Sequence, residues 1–231
     1  MSETHYVDLD GHHVAYRVAG EGPAIVVLHL YRRREDLIHL RVLGDRWQVF
    51  EIAPLGFGRS DRVPGYAGEL LPDQILTVLD QHGVDRFIIW GYSAGGAMAA
   101  CIARATSRTA ALVCGGFSLL GVPTPGAMRQ MDRRLAPDHP SRSLWAWVMS
   151  FDWADELRSM TCPRLMYWGS EDTSAQMAKR LRRDREQLAD TDIDFLEFAG
   201  LGHAEVAGDE VLTDLVIPAV ADWIGRNVGT S

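Results

Sequence analysis

Two short apolar segments near the start of the chain, Tyr6 to Leu9 and Val14 to Val18, flank Asp10-Gly11, a dipeptide suited to a turn with two positive φ angles. They predict an antiparallel hairpin. After Gly20-Glu21-Gly22-Pro23 the pattern changes to unbroken apolar runs at Ala24 to Leu28, Val49 to Ala53, Phe87 to Trp90, Ala111 to Cys114 and Leu165 to Trp168. Strands without alternation are buried on both faces, as in a parallel sheet covered by helices. A further strand is expected at Asp194 to Phe198.

Helical periodicity fills the gaps. Leu71, Ile75, Val78 and Leu79 repeat at helical spacing, Pro72 suits the first turn and Gly83 the stop. Further helices are expected at Glu35 to Leu43, Gly96 to Ala105, Ser174 to Leu188 and Asp209 to Ile224. Strand and helix thus alternate over most of the chain, which predicts a doubly wound α/β sheet. Residues 118 to 160 break the rhythm with Pro123, Pro125, Pro137 and Pro140, then a cluster of Leu144, Trp145, Trp147, Val148, Met149, Phe151 and Trp153. The expected division is a core of residues 1–117 and 161–231 carrying an inserted, mostly helical lid at 118–160.

Composition narrows the function. At 231 residues one hydrophobic core suffices. The formal charge of −8 argues against a nucleic-acid partner, which needs a basic face. No apolar run is long enough to cross a bilayer and the polar start lacks the pattern of a secretion signal, so a cytoplasmic protein without a membrane partner is expected. Cys101, Cys114 and Cys162 lack metal-site spacing and read as buried thiols. Neither metal nor organic cofactor is expected. The cluster Arg180, Arg182, Arg183 and Arg185, interleaved with Asp184 and Glu186, reads as a solvated, salt-bridged helix face.

Gly91-Tyr92-Ser93-Ala94-Gly95 carries the chemistry. It follows an apolar strand and opens a small-residue helix, the context of a nucleophile elbow. Glycines 91 and 95 are expected where a β-carbon would strike neighbouring backbone, and the helix aims its positive end at developing negative charge. The bland alternative is a helix entry with a capping serine. A serine hydroxyl needs a base, and the base needs an orienting group. His203, in a glycine loop after the last strand, suits the base; Asp172 suits the orienting role, with Glu171 as its rival and a helix cap as the structural alternative. His5, His12, His13, His39, His82 and His139 read as ordinary surface or packing histidines.

Taken together, the chain resembles the α/β-hydrolase superfamily over nearly its whole length. Val26-Val27-Leu28-His29 looks like the oxyanion strand, and Ala53 to Asp61 is similar to the family's glycine-rich loop; elbow, acid turn and histidine loop follow in the family's order. The resemblance implies the α/β-hydrolase fold and a serine hydrolase with the triad Ser93, His203 and Asp172. It also implies an oxyanion hole made by the backbone N–H groups of Tyr31 and Ala94. The chain departs from the pattern at Leu30, where relatives carry glycine. Arg32, Arg33 and Arg34 follow at once, either as solvated residues opening a helix or as a clamp for a substrate carboxylate or phosphate. Trp145 and Trp147, with Met128, Met131 and Trp153, either pack within the lid or line an apolar pocket for a small-molecule substrate.

With serine at the elbow, the expected substrate is a small ester, lactone or thioester cleaved through an acyl-enzyme. A carbon–carbon bond hydrolase and a cofactor-free cyclase or lyase on the same fold are the alternatives, and a non-catalytic ligand-binding module is the contrasting class.

Overall fold

The chain opens with strand β1 (His5–Leu9) turning back into β2 (His12–Ala19), and both turn residues, Asp10 at φ +53° and Gly11 at φ +82°, hold the positive φ that their dipeptide favours. A computed structural model gives the structure for residues 3–28, 30, 38–63, 68–121, 137 and 139–228. The described elements after the hairpin are β3 (Ala24–Leu28), α1 (Ile38–Leu43), β4 (Gln48–Ala53), α2 (Leu71–Gln81), β5 (Phe87–Tyr92), α3 (Ala94–Ala105) and β6 (Thr109–Gly115). Then come α4 (Pro140–Val148), α5 (Trp153–Ser159), β7 (Arg164–Gly169), α6 (Met177–Gln187), β8 (Ile193–Phe198), the single turn α7 (His203–Val206) and α8 (Ile217–Asn227).

Eight strands form one sheet in the order β1-β2-β4-β3-β5-β6-β7-β8. The hairpin joins antiparallel through β2 to β4, and the remaining neighbours are parallel. Every residue of β3 and β7 is buried, as their unbroken apolar runs require. One face packs on α2, α3, α4, α5 and α6, the other on α1 and α8. This is the doubly wound α/β arrangement that the alternation of strand and helix predicts.

Several boundaries differ from expectation. The helix expected from Ser174 is broken: Ala175 and Gln176 take positive φ, and α6 starts at Met177. The helix expected over Asp209 to Ile224 widens into a π turn at Leu212–Val216 before α8. Pro218 has no N–H to give the preceding turn, and its ring crowds the carbonyl four residues back, so the turn opens. Helix α3 starts two residues before the expected Gly96, and the described part of α1 starts at Ile38.

Two readings of single residues are corrected. Asp184 does not lie on a solvated face; it is 2% exposed and turned inward, meeting the Ser118 hydroxyl and the Leu120 backbone. Its arginine neighbours find partners elsewhere: Arg182 pairs with Glu197, and Arg180 donates to the Gly121 carbonyl at 2.8 Å. Cys101 and Cys114 are buried thiols, but Cys162 is only half-buried.

The segment between β6 and β7 contains α4 and α5. Asp152 caps α5 by accepting from the backbone N–H groups of Ala154 and Asp155. Trp153 is buried and donates from Nε1 to the Val148 carbonyl at 2.8 Å, tying α5 to α4. Among the described residues no helix is long and apolar enough to cross a membrane.

Candidate active site

Strand β5 delivers Ser93 at the sheet's carboxyl edge, beside the point where the strand order reverses between β3 and β5. In doubly wound sheets ligands bind in the crevice at that switch point. Ser93 takes φ +56° and ψ −125°, a strained conformation for a residue with a side chain. Its backbone is held on both sides: its N–H donates to the Gly115 carbonyl at 2.8 Å, and its carbonyl accepts from Gly96 at 2.9 Å. Although it stands at the N-cap of α3, its hydroxyl makes no cap bond. The capping-serine alternative therefore fails, and the hydroxyl is available for another partner.

The tightness of the elbow is distributed differently from expectation. A β-carbon on Gly91 would sit 2.0 Å from the Gly95 carbonyl oxygen, which rules it out. At Gly95 the nearest atom would be Leu30 Cδ1 at 3.6 Å, an ordinary contact. The second crowded position is Gly96, whose β-carbon would meet Cys114 Sγ at 2.9 Å. The small residue at 95 is thus matched to the large one at 30: the Leu30 side chain lies over the first turn of α3.

His203 begins α7 after Gly202, and its Nε2 lies 3.0 Å from Ser93 Oγ. Its Nδ1 lies 2.6 Å from Asp172 Oδ2. Asp172 is 1% exposed, and its other oxygen accepts from the Ser174 backbone N–H at 3.0 Å. One carboxylate thus contacts both the imidazole and the Ser174 backbone. Glu171 points elsewhere, its Oε1 accepting from the Ser170 hydroxyl at 3.3 Å. The acid turn and the histidine loop meet at Gly169, where a β-carbon would lie 2.1 Å from the Leu201 carbonyl oxygen. That same oxygen accepts from the Glu171 N–H, locking the two loops together.

Ala94 follows Ser93 as the first residue of α3, so its N–H belongs to the open first turn that no helical carbonyl fills. Tyr31, Arg32, Arg33 and Arg34 lie outside the described residues, as do His29, Met128 and Met131. Trp145 stacks on Phe117 at 5.5 Å, just beyond the end of β6, whereas Trp147 packs edge-on against Phe151 within the insertion. Among the described residues no three His, Cys, Asp or Glu side chains gather in a metal-binding group.

Sequence reasoning assigns no role to Tyr92, whose hydroxyl donates to the His203 backbone carbonyl at 2.8 Å. That bond joins residues 111 positions apart, and no local pattern announces it.

Comparison with known proteins agrees with the architecture. A search of curated proteins by sequence finds no match. Among solved structures the chain is similar to a thermophilic esterase from Thermogutta terrifontis, with a TM-score of 0.78 at 18% identity over 99% of this chain and 100% of that one. It is similar to the enol-lactonase from Burkholderia xenovorans, with a TM-score of 0.69 at 18% identity over 95% and 99% of the two chains. A meta-cleavage product hydrolase from Pseudomonas fluorescens gives 0.66 at 18% identity over 92% and 96%. At such identities the likeness is one of fold. The family model for the alpha/beta hydrolase fold matches residues 29–144, half of the chain. With that match, and an eight-stranded sheet of the same architecture, the chain belongs to the alpha/beta hydrolase family.

Proposed function

We propose that the protein is a serine hydrolase that cleaves a small ester, lactone or thioester through an acyl-enzyme. The observation that carries this reading is the continuous line from Ser93 Oγ to His203 Nε2 at 3.0 Å and from His203 Nδ1 to Asp172 Oδ2 at 2.6 Å. Asp172 accepts a hydrogen bond from the Nδ1–H, which keeps the proton on Nδ1 and leaves the Nε2 lone pair facing the serine hydroxyl. Ser93 Oγ bonds to the substrate carbonyl carbon while its proton passes to Nε2. The carbonyl oxygen becomes an oxyanion, held by the Ala94 N–H at the positive end of α3 and by a second backbone donor, Tyr31 by resemblance to the family. When the carbon–heteroatom bond breaks, the departing alcohol or thiol takes the proton from Nε2. Water then adds to the acyl-enzyme by the same route in reverse, releasing the acid and restoring Ser93.

In this reading the described helices of the insertion, α4 and α5, serve as a lid, with Trp145 of α4 stacked against Phe117. An uncharged carbonyl substrate needs no cation beyond these donors. The esterase and the lactonase with this fold act on substrates of the proposed class.

Labelling with an alkyl fluorophosphonate, followed by peptide mapping, tests the reading. Modification of Ser93 is expected, and Ser93→Ala should lower turnover of an activated ester by about a thousandfold or more. A wild-type protein left unmodified at Ser93, or a Ser93→Ala variant of near-normal turnover, would overturn it.

A further inference from the structure

We infer that Tyr92 is a positioning residue that holds the His203 loop at its working distance from Ser93, an inference that rests on the hydrolase reading above. Tyr92 is the last residue of β5, immediately before Ser93. Its hydroxyl donates to the His203 backbone carbonyl at 2.8 Å, and its ring lies 5.0 Å from the imidazole at an interplanar angle of 39°. On its other side the ring stacks on Tyr167, centroids 5.9 Å apart and planes 29° apart. Tyr167 in turn accepts from Trp90 Nε1 at 3.0 Å in the buried core. A column of aromatic groups therefore runs from the centre of the sheet up to the imidazole.

The sequence makes room for that column with Gly115 and Gly116 at the end of β6. A β-carbon on Gly115 would fall 2.2 Å from Tyr167 Cζ, and one on Gly116 would fall 2.7 Å from the Tyr92 ring. Gly115 also supplies the carbonyl that holds the Ser93 N–H. One short stretch thereby fixes both the nucleophile's backbone and the packing that carries its partner.

His203 needs such a support. It starts a helix of only four residues, far too short to be stable by itself, and it follows Gly200, which sits at φ +74°. Asp172 fixes the rotation of the imidazole and the Leu201–Glu171 bond ties the loop to the acid turn, but neither sets the depth of the His203 backbone relative to β5. The Tyr92 hydroxyl sets that depth from the same strand that bears the nucleophile. Because β5 carries both groups, a small shift of the strand moves Ser93 and the support of His203 together. Misplacement of a reacting group by about 1 Å can cost roughly a hundredfold in rate, so a support of this kind matters to chemistry more than to binding.

The test is the Tyr92→Phe variant, which keeps the ring column and removes one hydrogen bond. Fluorophosphonate inactivation is resolved into its limiting rate and its half-saturating concentration, and thermal unfolding is followed in parallel. The limiting rate should fall by about threefold to tenfold, the worth of one hydrogen bond, and stay lowered on cooling, while half-saturation is unchanged and the unfolding temperature drops by no more than about 4 °C. An unchanged limiting rate overturns the inference. So does a loss that comes with a lower unfolding temperature and vanishes on cooling, because the role would then be stability alone. If wild type itself is not modified at Ser93, the hydrolase reading has failed first, and that result is distinct from either.

Discussion

Ser93 presents its hydroxyl to His203 at a cost in backbone strain: at φ +56° and ψ −125° a residue with a β-carbon sits about 1–3 kcal/mol above its relaxed state. Glycine alone reaches that region freely. Ser93→Gly should therefore raise unfolding free energy by about 1 kcal/mol, after allowing for glycine's greater freedom in the unfolded chain, while abolishing labelling. Ser93→Ala, which keeps the β-carbon, should show no such gain. Urea titration of the two variants decides the matter, and equal midpoints would mean that the elbow is not strained. Asp172 works under a different constraint, since one carboxylate holds both the His203 imidazole and the Ser174 N–H. The short side chain keeps those two duties within reach of one buried position, whereas the neighbouring Glu171 stays with Ser170.

Among elements, the β5–α3 junction separates its glycines by function. Gly91→Ala would drive a methyl group into the Gly95 carbonyl and should destabilise the fold severely, whereas Gly95→Ala meets only Leu30 at van der Waals distance. The Gly95 change should leave stability level or raise it by up to about 1 kcal/mol, as expected for replacing a helical glycine. Chemical denaturation of both variants checks this, and equal losses would refute the distinction. The sequence motif treats both glycines alike because its spacing records which residues are small, not which atoms they would strike. The hairpin at Asp10-Gly11 and the buried parallel strands were legible because each rests on local preference or on periodicity, and the order of elbow, acid turn and histidine loop was legible through resemblance to the family. The inward turn of Asp184 and the Tyr92 support were not, since each depends on a partner distant in sequence, and no local pattern announces the positive φ angles at Ala175 and Gln176 before α6. Pro218 is the exception: it was a local signal for the π turn before α8, and it is the kind of residue that ends or distorts a helix wherever it falls.

At the scale of the whole molecule, pH enters the stability through Asp184. Burial pushes its carboxyl up to about 6, against the Ser118 hydroxyl, the Leu120 backbone and the charges of Arg183 and Arg180, which pull it down. Between about pH 4 and 6 the folded chain then holds a proton that the unfolded chain has lost, so stability falls as pH rises through that window. Above it the full penalty remains, roughly 3 kcal/mol for a shift of about two units. Asp184→Asn should thus unfold at higher temperature than wild type above pH 6, with the advantage shrinking toward pH 4; a constant difference across that range would exclude a titrating Asp184. The arrangement of the sheet has a consequence of its own. The hydrogen bonds of the relay span 110 and 31 residues, and the imidazole hangs from the loop after β8, the outermost strand on its side. Outer strands fray first when a protein breathes. On the hydrolase reading, warming would then silence turnover at the border of the sheet while its centre is still intact.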